Sequence, residues 1–398
     1  MNTNLRTAAL VAAGIVSAGS VGHAEEARMN PVETALTATT ISGYVSASTF
    51  YNLGDRGERL PGRSFDAEDK LNKINLDVVK LSIEKPLDEG DWSAGYKVDL
   101  LFGADANTYG TSPSFPSGSS SSTTGTDFGI KQAYVTLQTP VGNDLIAKVG
   151  VFDTIIGYEV FESGSNPNYS RSYGYFIEPT QHTGLLLSYA LTDWLSVNGG
   201  IANSYDAHIN APGVDSGANR RFGLQTYMGS LAITAPEGSG FLEGSTLYGG
   251  IVHGLTSTGD DDRPRTSYYA GLTVPTPVEN LAVGAAVDYR TTKPAPGAEA
   301  WATAIGGYLT YQMSQQLKLG LRGEYAAGTA GTWTGTSAMK ERFFGLTTTV
   351  DYSLWANVLT RLEFRWDNDL KGGSKNFGNT ADPKDSAFVV GANVIYAF

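Results

Sequence analysis

The sequence predicts an all-β fold: a transmembrane antiparallel β-barrel of about 16 strands, with short periplasmic turns and long extracellular loops. Three observations predict it. Apolar and polar residues alternate with a period of two along most of the chain. Long and short connections alternate strictly between these segments. The chain also ends in mid-pattern on an aromatic residue, in "AFVVGANVIYAF" (387–398), as a strand in a closed sheet could do.

Composition limits the class of protein. The chain has 398 residues, of which 41% are hydrophobic and 17% charged, with 48 glycines and no cysteine. Its formal net charge of −12 argues against a nucleic-acid partner. The absence of cysteine excludes a disulfide framework. No apolar run after the N-terminal region reaches the ~18 residues of a membrane helix, whereas barrel strands give a much weaker hydropathy signal.

The N-terminus has the pattern of a secretory signal. Arg6 precedes the apolar stretch 7–20, and "GHA" (22–24) is a small-x-small cleavage site. We expect a signal peptide over 1–24, cleaved after Ala24, and export to the cell outer membrane. A buried N-terminal helix is the alternative. Residues 25–40 are then a short periplasmic N-terminal segment, and 41–398 form the outer-membrane β-barrel.

The strand pattern has one apolar and one charged face. In "VLTRLEFRWD" (358–367), Leu362, Phe364 and Trp366 alternate with Arg361 and Arg365. We count about sixteen such segments, beginning near 41–51. The phase is ambiguous in the second, eighth and ninth, where a bulge would account for it.

The lengths of the connections predict the end of the barrel at which each connection and the two chain termini lie. Alternate turns of an antiparallel meander lie at opposite ends, so one end carries only short turns and the other carries loops. Because the series opens and closes with a long loop, both chain termini lie at the short-turn end. The long connections are 52–73, 103–127, 153–182, 204–221, 256–265, 291–300, 327–340 and 368–386.

Two stretches resemble known proteins. The terminal strand, with Tyr396 and Phe398, is similar to the C-terminal recognition strand of Gram-negative outer-membrane proteins, which the barrel-assembly machinery reads. Residues 149–189 resemble the β-barrel porin type 2, OmpL-like family. That resemblance implies a pore-forming outer-membrane protein without catalytic residues. The matching positions are Gly150, Phe152, Gly157, Tyr158, Glu159, Asn166, Pro167, Ser170, Arg171, Ser172, Tyr173, Glu178, Pro179, His182, Thr183 and Gly184.

The third long loop, 153–182, is the expected pore constriction. By analogy with sixteen-stranded porins, it folds into the lumen. Its charged residues are Asp153, Glu159, Glu162, Arg171 and Glu178. The opposite pore wall would carry Arg290, Lys318, Arg322, Arg342, Arg361 and Arg365. An acidic loop facing a basic wall would set a transverse field that selects solutes. Alternatively, these charges only hydrate and cross-link the lumen. In the first case we expect Arg361 and Arg365 to line the narrow part.

The aromatic residues indicate two membrane-interface girdles, with a carbohydrate-stacking surface in the lumen as the alternative. Near the short turns lie Trp92, Tyr189, Trp194, Tyr352, Trp355, Tyr396 and Phe398. Near the loops lie Tyr268, Tyr269, Trp301, Phe343, Phe344 and Trp366.

No motif predicts a metal, a cofactor or catalysis. The aspartates of "GDDDRPR" (259–265) favour a solvated loop over a Ca²⁺ or Mg²⁺ site, because EF-hand spacing is missing. His182, His208 and His253 have no metal-ligand spacing. Ser, His and Asp occur without a nucleophile elbow.

Taken with the resemblance, the predicted function is an outer-membrane porin: a water-filled channel for passive diffusion of ions and small hydrophilic solutes. The alternatives are a solute-specific channel for an oligosaccharide or an anion, and an outer-membrane enzyme or adhesin on a closed barrel. The expected partners are outer-membrane lipid, the barrel-assembly machinery and the solutes, with a homotrimer by analogy. The permeant solute, the ion preference and the pore radius stay open.

Overall fold

The computed structural model describes most of the chain, and the predicted signal peptide with its cleavage point at Ala24 lies outside the described residues, as do most of 25–40 and Asp260 to Asp262. The described residues are 38–54, 59–109, 127–213, 226–257, 264–295, 298–335, 340–371, 375–379 and 381–398.

Sixteen antiparallel strands close into one barrel, which confirms the predicted fold and strand count. Each barrel strand pairs with the barrel strands before and after it along the chain, and the last one lies between the fifteenth and the first. The barrel strands are β1 Thr40–Asn52, β2 Ile74–Lys85, β3 Ser93–Phe102, β4 Phe128–Thr139, β5 Leu145–Asp153, β6 Gln181–Thr192, β7 Leu195–Ala202, β8 Thr226–Thr234, β9 Thr246–Gly254, β10 Arg265–Pro275, β11 Leu281–Ala295, β12 Ala298–Gln312, β13 Leu317–Gly328, β14 Glu341–Trp355, β15 Val358–Asp369 and β18 Ser386–Ala397.

Short elements lie in the connections. Strands β16 (Phe377–Gly378) and β17 (Pro383–Lys384) pair with each other in the last loop. A five-residue helix, α1 (Tyr173–Ile177), lies in the third loop. The 3-10 turns are Glu68–Lys70, Ala104–Thr108, Ser163–Ser165 and Gly240–Leu242. Within the described residues, no helix combines the length and the hydropathy needed to cross a membrane.

The last strand closes the barrel against the first, as predicted. Tyr44 pairs with Ala397, and Asn52 pairs with Val389 at the other end. Beyond the strand, Gly43 and Phe398 exchange two backbone hydrogen bonds of 2.9 Å each. We call this junction of the last strand with the first the seam. The terminal aromatic residue is part of the seam, and its pairing leaves no open strand edge there.

The outer surface of the barrel is apolar, as a lipid-facing surface must be. Its mid-strand side chains are each more than a third exposed. They include Val135, Val149, Leu187, Leu231, Ile251, Leu272, Val287, Ile305, Leu321, Val350, Leu362 and Val394.

Two predicted girdle residues were assigned to the wrong face. Tyr269 and Phe343 are buried on the lumen side, 7% and 0% exposed. Each is adjacent to another aromatic residue, Tyr268 or Phe344. Because neighbours on a strand point to opposite faces, only one of each pair can reach the membrane.

The predicted loop 291–300 is also wrong. Strand β11 extends to Ala295, β12 begins at Ala298, and these two residues pair with each other. The predicted bulge in the second segment is confirmed: the register between β1 and β2 shifts at Ser46 and leaves Asp77 of β2 without a partner opposite. The eighth and ninth segments have no such bulge where they meet, because β8 and β9 pair with each other without a register shift.

The interior of the barrel is partly filled by packed side chains from the loops. One cluster joins Tyr169 and Tyr173 of the third loop to Trp333 and Phe377 of later loops. A second cluster combines residues of the first three loops with the wall: Phe65, Val78, Leu101, Ala106, Tyr109, Phe161 and Tyr175. The lumen is therefore narrower than the strand count alone implies.

We expect the seam to limit assembly. Deleting residues 396–398 removes the Gly43–Phe398 hydrogen bonds and the last pairs of β18 with β1. The fraction of protein in the outer membrane that migrates as a folded, heat-modifiable barrel should fall several-fold. Phe388→Leu, which keeps an apolar outward side chain far from the terminus, is the control. Equal folded fractions for the deletion and the control would contradict this role.

Candidate functional site

The third loop, residues 154–180, runs inside the barrel and is held by the wall of β13 and β15. On both strands the inward positions alternate in charge. Arg322 and Glu324 follow each other on β13. On β15 the order is Arg361, Glu363, Arg365 and Asp367. All of these side chains are buried beneath the loop.

The carboxylates of the wall accept hydrogen bonds from the loop backbone. Glu363 accepts from the amides of Tyr169 at 2.6 Å and Ser170 at 3.0 Å. Glu324 accepts from the amide of Tyr173 at 2.7 Å, at the start of α1. These bonds satisfy amides that a buried loop would otherwise leave without partners.

The arginines of the wall donate to the loop carbonyls. Arg322 bonds the Ser170 carbonyl at 2.5 Å, and Arg365 bonds the Arg171 carbonyl at 2.7 Å. Arg361 bonds the carbonyls of Ser163 and of Asn166, the latter at 2.7 Å. Donors and acceptors alternate along the wall, so it can bind both polar groups of an irregular backbone.

The loop also braces itself, and the residues of the recognised motif do this. Arg171 donates to the carbonyls of Val160, at 3.0 Å, and of Phe161 and Tyr169. The Asn166 side chain exchanges two hydrogen bonds with the Val160 backbone. Ser172 caps α1 by accepting from the Tyr175 amide. The motif therefore encodes the shape of the loop.

The predicted acidic residues of the loop are paired. Glu159 contacts Arg322 at 2.8 Å and accepts from the Ser172 amide. Glu162 contacts Lys80 at 2.5 Å and Lys131 at 3.4 Å. Burial opposes ionisation of Glu162, but these two lysines hold its pKa well below its usual range.

Two further acidic residues have different surroundings. Asp153, the last residue of β5, pairs with Lys131. Glu178 lies beside the Asp288 carboxyl of β11. Burial and that neighbouring carboxyl raise the pKa of Glu178 well above its usual value.

The predicted basic residues of the pore wall differ in their burial and in their contacts. Arg322, Arg361 and Arg365 are 0%, 3% and 1% exposed and bind the loop. Arg290 donates to the Ile177 carbonyl at 3.3 Å. Lys318 is half-buried and contacts Asp351 at 3.0 Å.

Arg342 was assigned to the wrong face. It is exposed on the outward face of β14. The inward face of this strand begins with Glu341 and Phe343 and continues with every second residue.

These contacts differ from the expected transverse field. The loop touches the basic wall, so Arg361 and Arg365 are covered instead of lining open water. In the described part of the loop and wall, the opposite charges form direct ion pairs and main-chain bonds. This geometry corresponds to the cross-linking alternative that the sequence left open.

Glycines in the wall allow the loop to approach. A Cβ on Gly284 of β11 would collide with the Tyr158 hydroxyl, and one on Gly320 of β13 would collide with the Pro167 carbonyl. Both glycines point inward. A sequence pattern alone gave no signal for these contacts, since glycine is also common where no loop packs.

A cavity of about 570 Å³ remains between the loop and the opposite wall. We call it the lumenal cavity. The loop side is formed by residues around Ile156 and Tyr158. The wall side comes from β7 to β13 and includes Asn198, Ser230, Tyr248, Tyr269, Thr273, Tyr308, Thr310 and Lys318. The open part of the barrel therefore lies off-centre.

One Ser–His–Asp contact occurs in the loops. Ser257 Oγ and Asp206 Oδ2 lie 2.8 Å and 3.3 Å from the same His208 atom, Nδ1. In a nucleophilic relay the two ring nitrogens serve different partners. This arrangement therefore differs from a catalytic triad.

A closed sixteen-stranded barrel with an apolar exterior and an inward third loop defines the class of outer-membrane porins. Within that class, the chain belongs to the family described as "Putative beta-barrel porin-2, OmpL-like", whose model matches residues 38–398. This confirms the resemblance seen in residues 149–189. Among curated proteins, none matches the sequence.

Solved structures show the same fold. An anion-selective porin from Comamonas acidovorans is 12% identical, with a TM-score of 0.59 over 90% of this chain and 99% of that one. The outer-membrane channel DcaP of Acinetobacter baumannii is 14% identical, with a TM-score of 0.57 over 90% and 97%. The trimer form of OmpT from Vibrio cholerae is 13% identical, with a TM-score of 0.56 over 90% and 99%.

The family and the fold together identify an outer-membrane channel for small solutes. They point to a channel and not to an enzyme.

Arg322→Met should loosen the third loop. The change leaves Glu159 and Glu324 buried without their guanidinium partner; breaking a buried pair in this way costs about 3–5 kcal/mol. Limited proteolysis of refolded barrels should cut the loop faster. The control is Lys318→Met, which removes a half-buried cation while Arg361 still pairs with Asp351. Equal cleavage rates in both variants would contradict the anchoring role.

Gly320→Val should push the loop tip into the lumenal cavity, because the Pro167 carbonyl packs directly on Gly320. We expect a lower single-channel conductance and switching between current levels. Gly323→Val is the matched control on the same strand, since an added Cβ there meets no atom within 4 Å. A conductance change in the control, or none in Gly320→Val, would contradict the packing argument.

Proposed function

We propose that the protein is a narrow diffusion channel for ions and small hydrophilic solutes, constricted by the third loop. The observation that supports this is the off-centre lumenal cavity of about 570 Å³ beside a loop fixed to the far wall. Because buried ion pairs hold the loop, the constriction is static under ordinary conditions. Solutes pass along the β7–β12 side of the lumen.

The charges of the third loop then act mainly through the shape of the pore. Asp153, Glu159, Glu162 and Arg171 hold the loop, and the basic wall residues hold it from behind. Among the predicted wall cations, Lys318 both lines the cavity and keeps a partly exposed side chain, 29% by area. We therefore assign it the larger part of any ion preference.

The processing and assembly of the chain complete the proposal. A signal peptide over 1–24, cleaved after Ala24, delivers the protein to the outer membrane, and 25–40 precede the barrel of 41–398. The first strand begins one residue before that boundary, at Thr40. A mature N-terminus other than Glu25 would refute this cleavage site. Tyr396 and Phe398, both exposed, present the terminal strand to the barrel-assembly machinery, and lipid covers the apolar exterior.

A homotrimer is proposed from the trimer form of OmpT from Vibrio cholerae. Migration of unheated protein at the monomer position would count against it.

No catalytic role is proposed, because His208 offers one ring nitrogen to both Ser257 and Asp206. Release of a reporter group from a protease or esterase substrate would overturn this, provided that a Ser257→Ala variant lost it.

The channel proposal predicts discrete, ohmic current steps from purified, refolded protein in a planar bilayer. In a salt gradient, paired charges should give a weak ion preference. Lys318→Glu should shift the reversal potential toward cation preference, because Lys318 faces the cavity. Arg342→Glu makes the same charge change on the outer face of β14 and should not. Silence from protein that migrates as a folded barrel would refute the channel, and equal shifts in both variants would refute the assignment of Lys318.

A further inference from the structure

The wall of the lumenal cavity is unusual in its tyrosines. Six of them line it. Tyr109 and Tyr175 belong to the aromatic cluster of the first three loops. The other four are Tyr158 from the third loop, and Tyr248, Tyr269 and Tyr308 from β9, β10 and β12. The rings of Tyr158 and Tyr308 stack with centroids 4.1 Å apart and an interplanar angle of 18°. Tyr158 and Tyr248 are only half-buried, so parts of both rings face the open space.

Packing holds these rings in place. All four belong to one apolar cluster, in which Tyr269 and Tyr308 are buried and Tyr158 and Tyr248 pack against them. Because the rings are held by this cluster and by the stacking of Tyr158 on Tyr308, they present fixed faces. A rigid aromatic face binds an apolar partner at a smaller entropic cost than a mobile one.

Between the rings lie uncharged polar groups. Asn198, Ser230 and Thr310 line the same cavity. The Asn198 amide donates to Ser230 Oγ at 3.0 Å and its carbonyl oxygen accepts from Ser188 Oγ at 2.6 Å. These hydroxyl and amide groups can exchange hydrogen bonds with a solute, as pore-lining groups do in selective channels.

Most charges that line the cavity already have a partner of opposite charge. Its charged lining residues are Lys131, Asp153, Glu159, Glu178 and Lys318. The first two pair with each other, Glu159 pairs with Arg322, and Lys318 pairs with Asp351. Glu178 lies against the carboxyl of Asp288. An ion that enters must lose part of its hydration and meets mainly charges that already have partners.

From this lining we propose that the lumenal cavity is a binding site for neutral sugars in pyranose form. Such a sugar has an apolar C–H face that packs on an aromatic ring, whose face carries negative charge density. Its hydroxyl groups bind hydroxyl and amide partners at the edge. The volume of about 570 Å³ lies within the range of small-molecule sites. This inference rests on the channel proposal and specifies its substrate class.

The test uses ion current through the refolded barrel in a planar bilayer, with maltose, glucose and sorbitol as probes. Maltose and glucose have pyranose rings, whereas sorbitol is an open-chain polyol of nearly the same size and hydroxyl content as glucose. We expect the two sugars to reduce the current in a saturable, concentration-dependent way. Sorbitol should reduce it only as far as it lowers the conductivity of the bulk solution.

Variants separate stacking from simple obstruction. Tyr248→Ala should raise the half-blocking sugar concentration about fivefold, as expected for the loss of one aromatic contact. Tyr248→Phe keeps the ring and should stay close to the wild type. Tyr227→Ala is the matched control on the neighbouring strand, because Tyr227 faces outward and is 59% exposed. Block in each variant is measured relative to its own sugar-free current, and Tyr227→Ala should retain the wild-type ion conductance.

The outcomes distinguish the two proposals. Steady ion current with equal effects of sugars and sorbitol would overturn the sugar site and leave the channel standing. Sugar block that is unchanged in Tyr248→Ala would also overturn the tyrosine site. The absence of any ion current from folded protein would overturn both proposals.

Discussion

The structure depends on one arrangement: an alternating row of buried arginines and carboxylates on β13 and β15 that binds the backbone of the third loop. An irregular segment inside a barrel must satisfy its amides and carbonyls away from bulk water. Here Glu324 and Glu363 take the amides, while Arg322, Arg361 and Arg365 take the carbonyls. Burying so many charges is costly unless each is paired and hydrogen-bonded. The loop and the wall therefore stabilise each other, because each satisfies polar groups of the other.

The position of the loop decides the rest of the interior. Once it lies against β13 and β15, the aromatic side chains of the first three loops pack around it. The space that remains is on the side of β7 to β12. Most of the charges that would have faced each other across water bind the loop instead, so tyrosines, hydroxyls and amides form a large part of the lining of the remaining passage. The firm attachment of the loop and the small number of unpaired charges in the passage thus have the same physical origin.

The sequence predicted the barrel well because two-residue alternation directly reports a sheet with one face in lipid. It also located the third loop and most of its charged residues. It failed where a residue's face depends on register, as for Arg342, Tyr269 and Phe343 at the loop ends of their strands. The sequence could not decide whether the charges of the third loop and of the wall set up a field across open water or form direct ion pairs. The residue type of a charged side chain does not give the distance to its partner. The tyrosine lining was also missed, since its members come from separate segments of the chain and share no spacing.

The anchor and the passage occupy different strands. Residues that hold the third loop come mainly from β13 and β15, whereas the wall beside the cavity comes mainly from β7 to β12. A change of side chain at Ser230 or Tyr248 alters what a solute meets without disturbing the buried ion pairs. Members of a lineage built on this plan can therefore acquire new nutrient preferences through substitutions that leave folding intact. Because the loop lies off-centre, side chains on the β7 to β12 side are free to change in evolution, whereas those on β13 and β15 are constrained by their contacts with the loop.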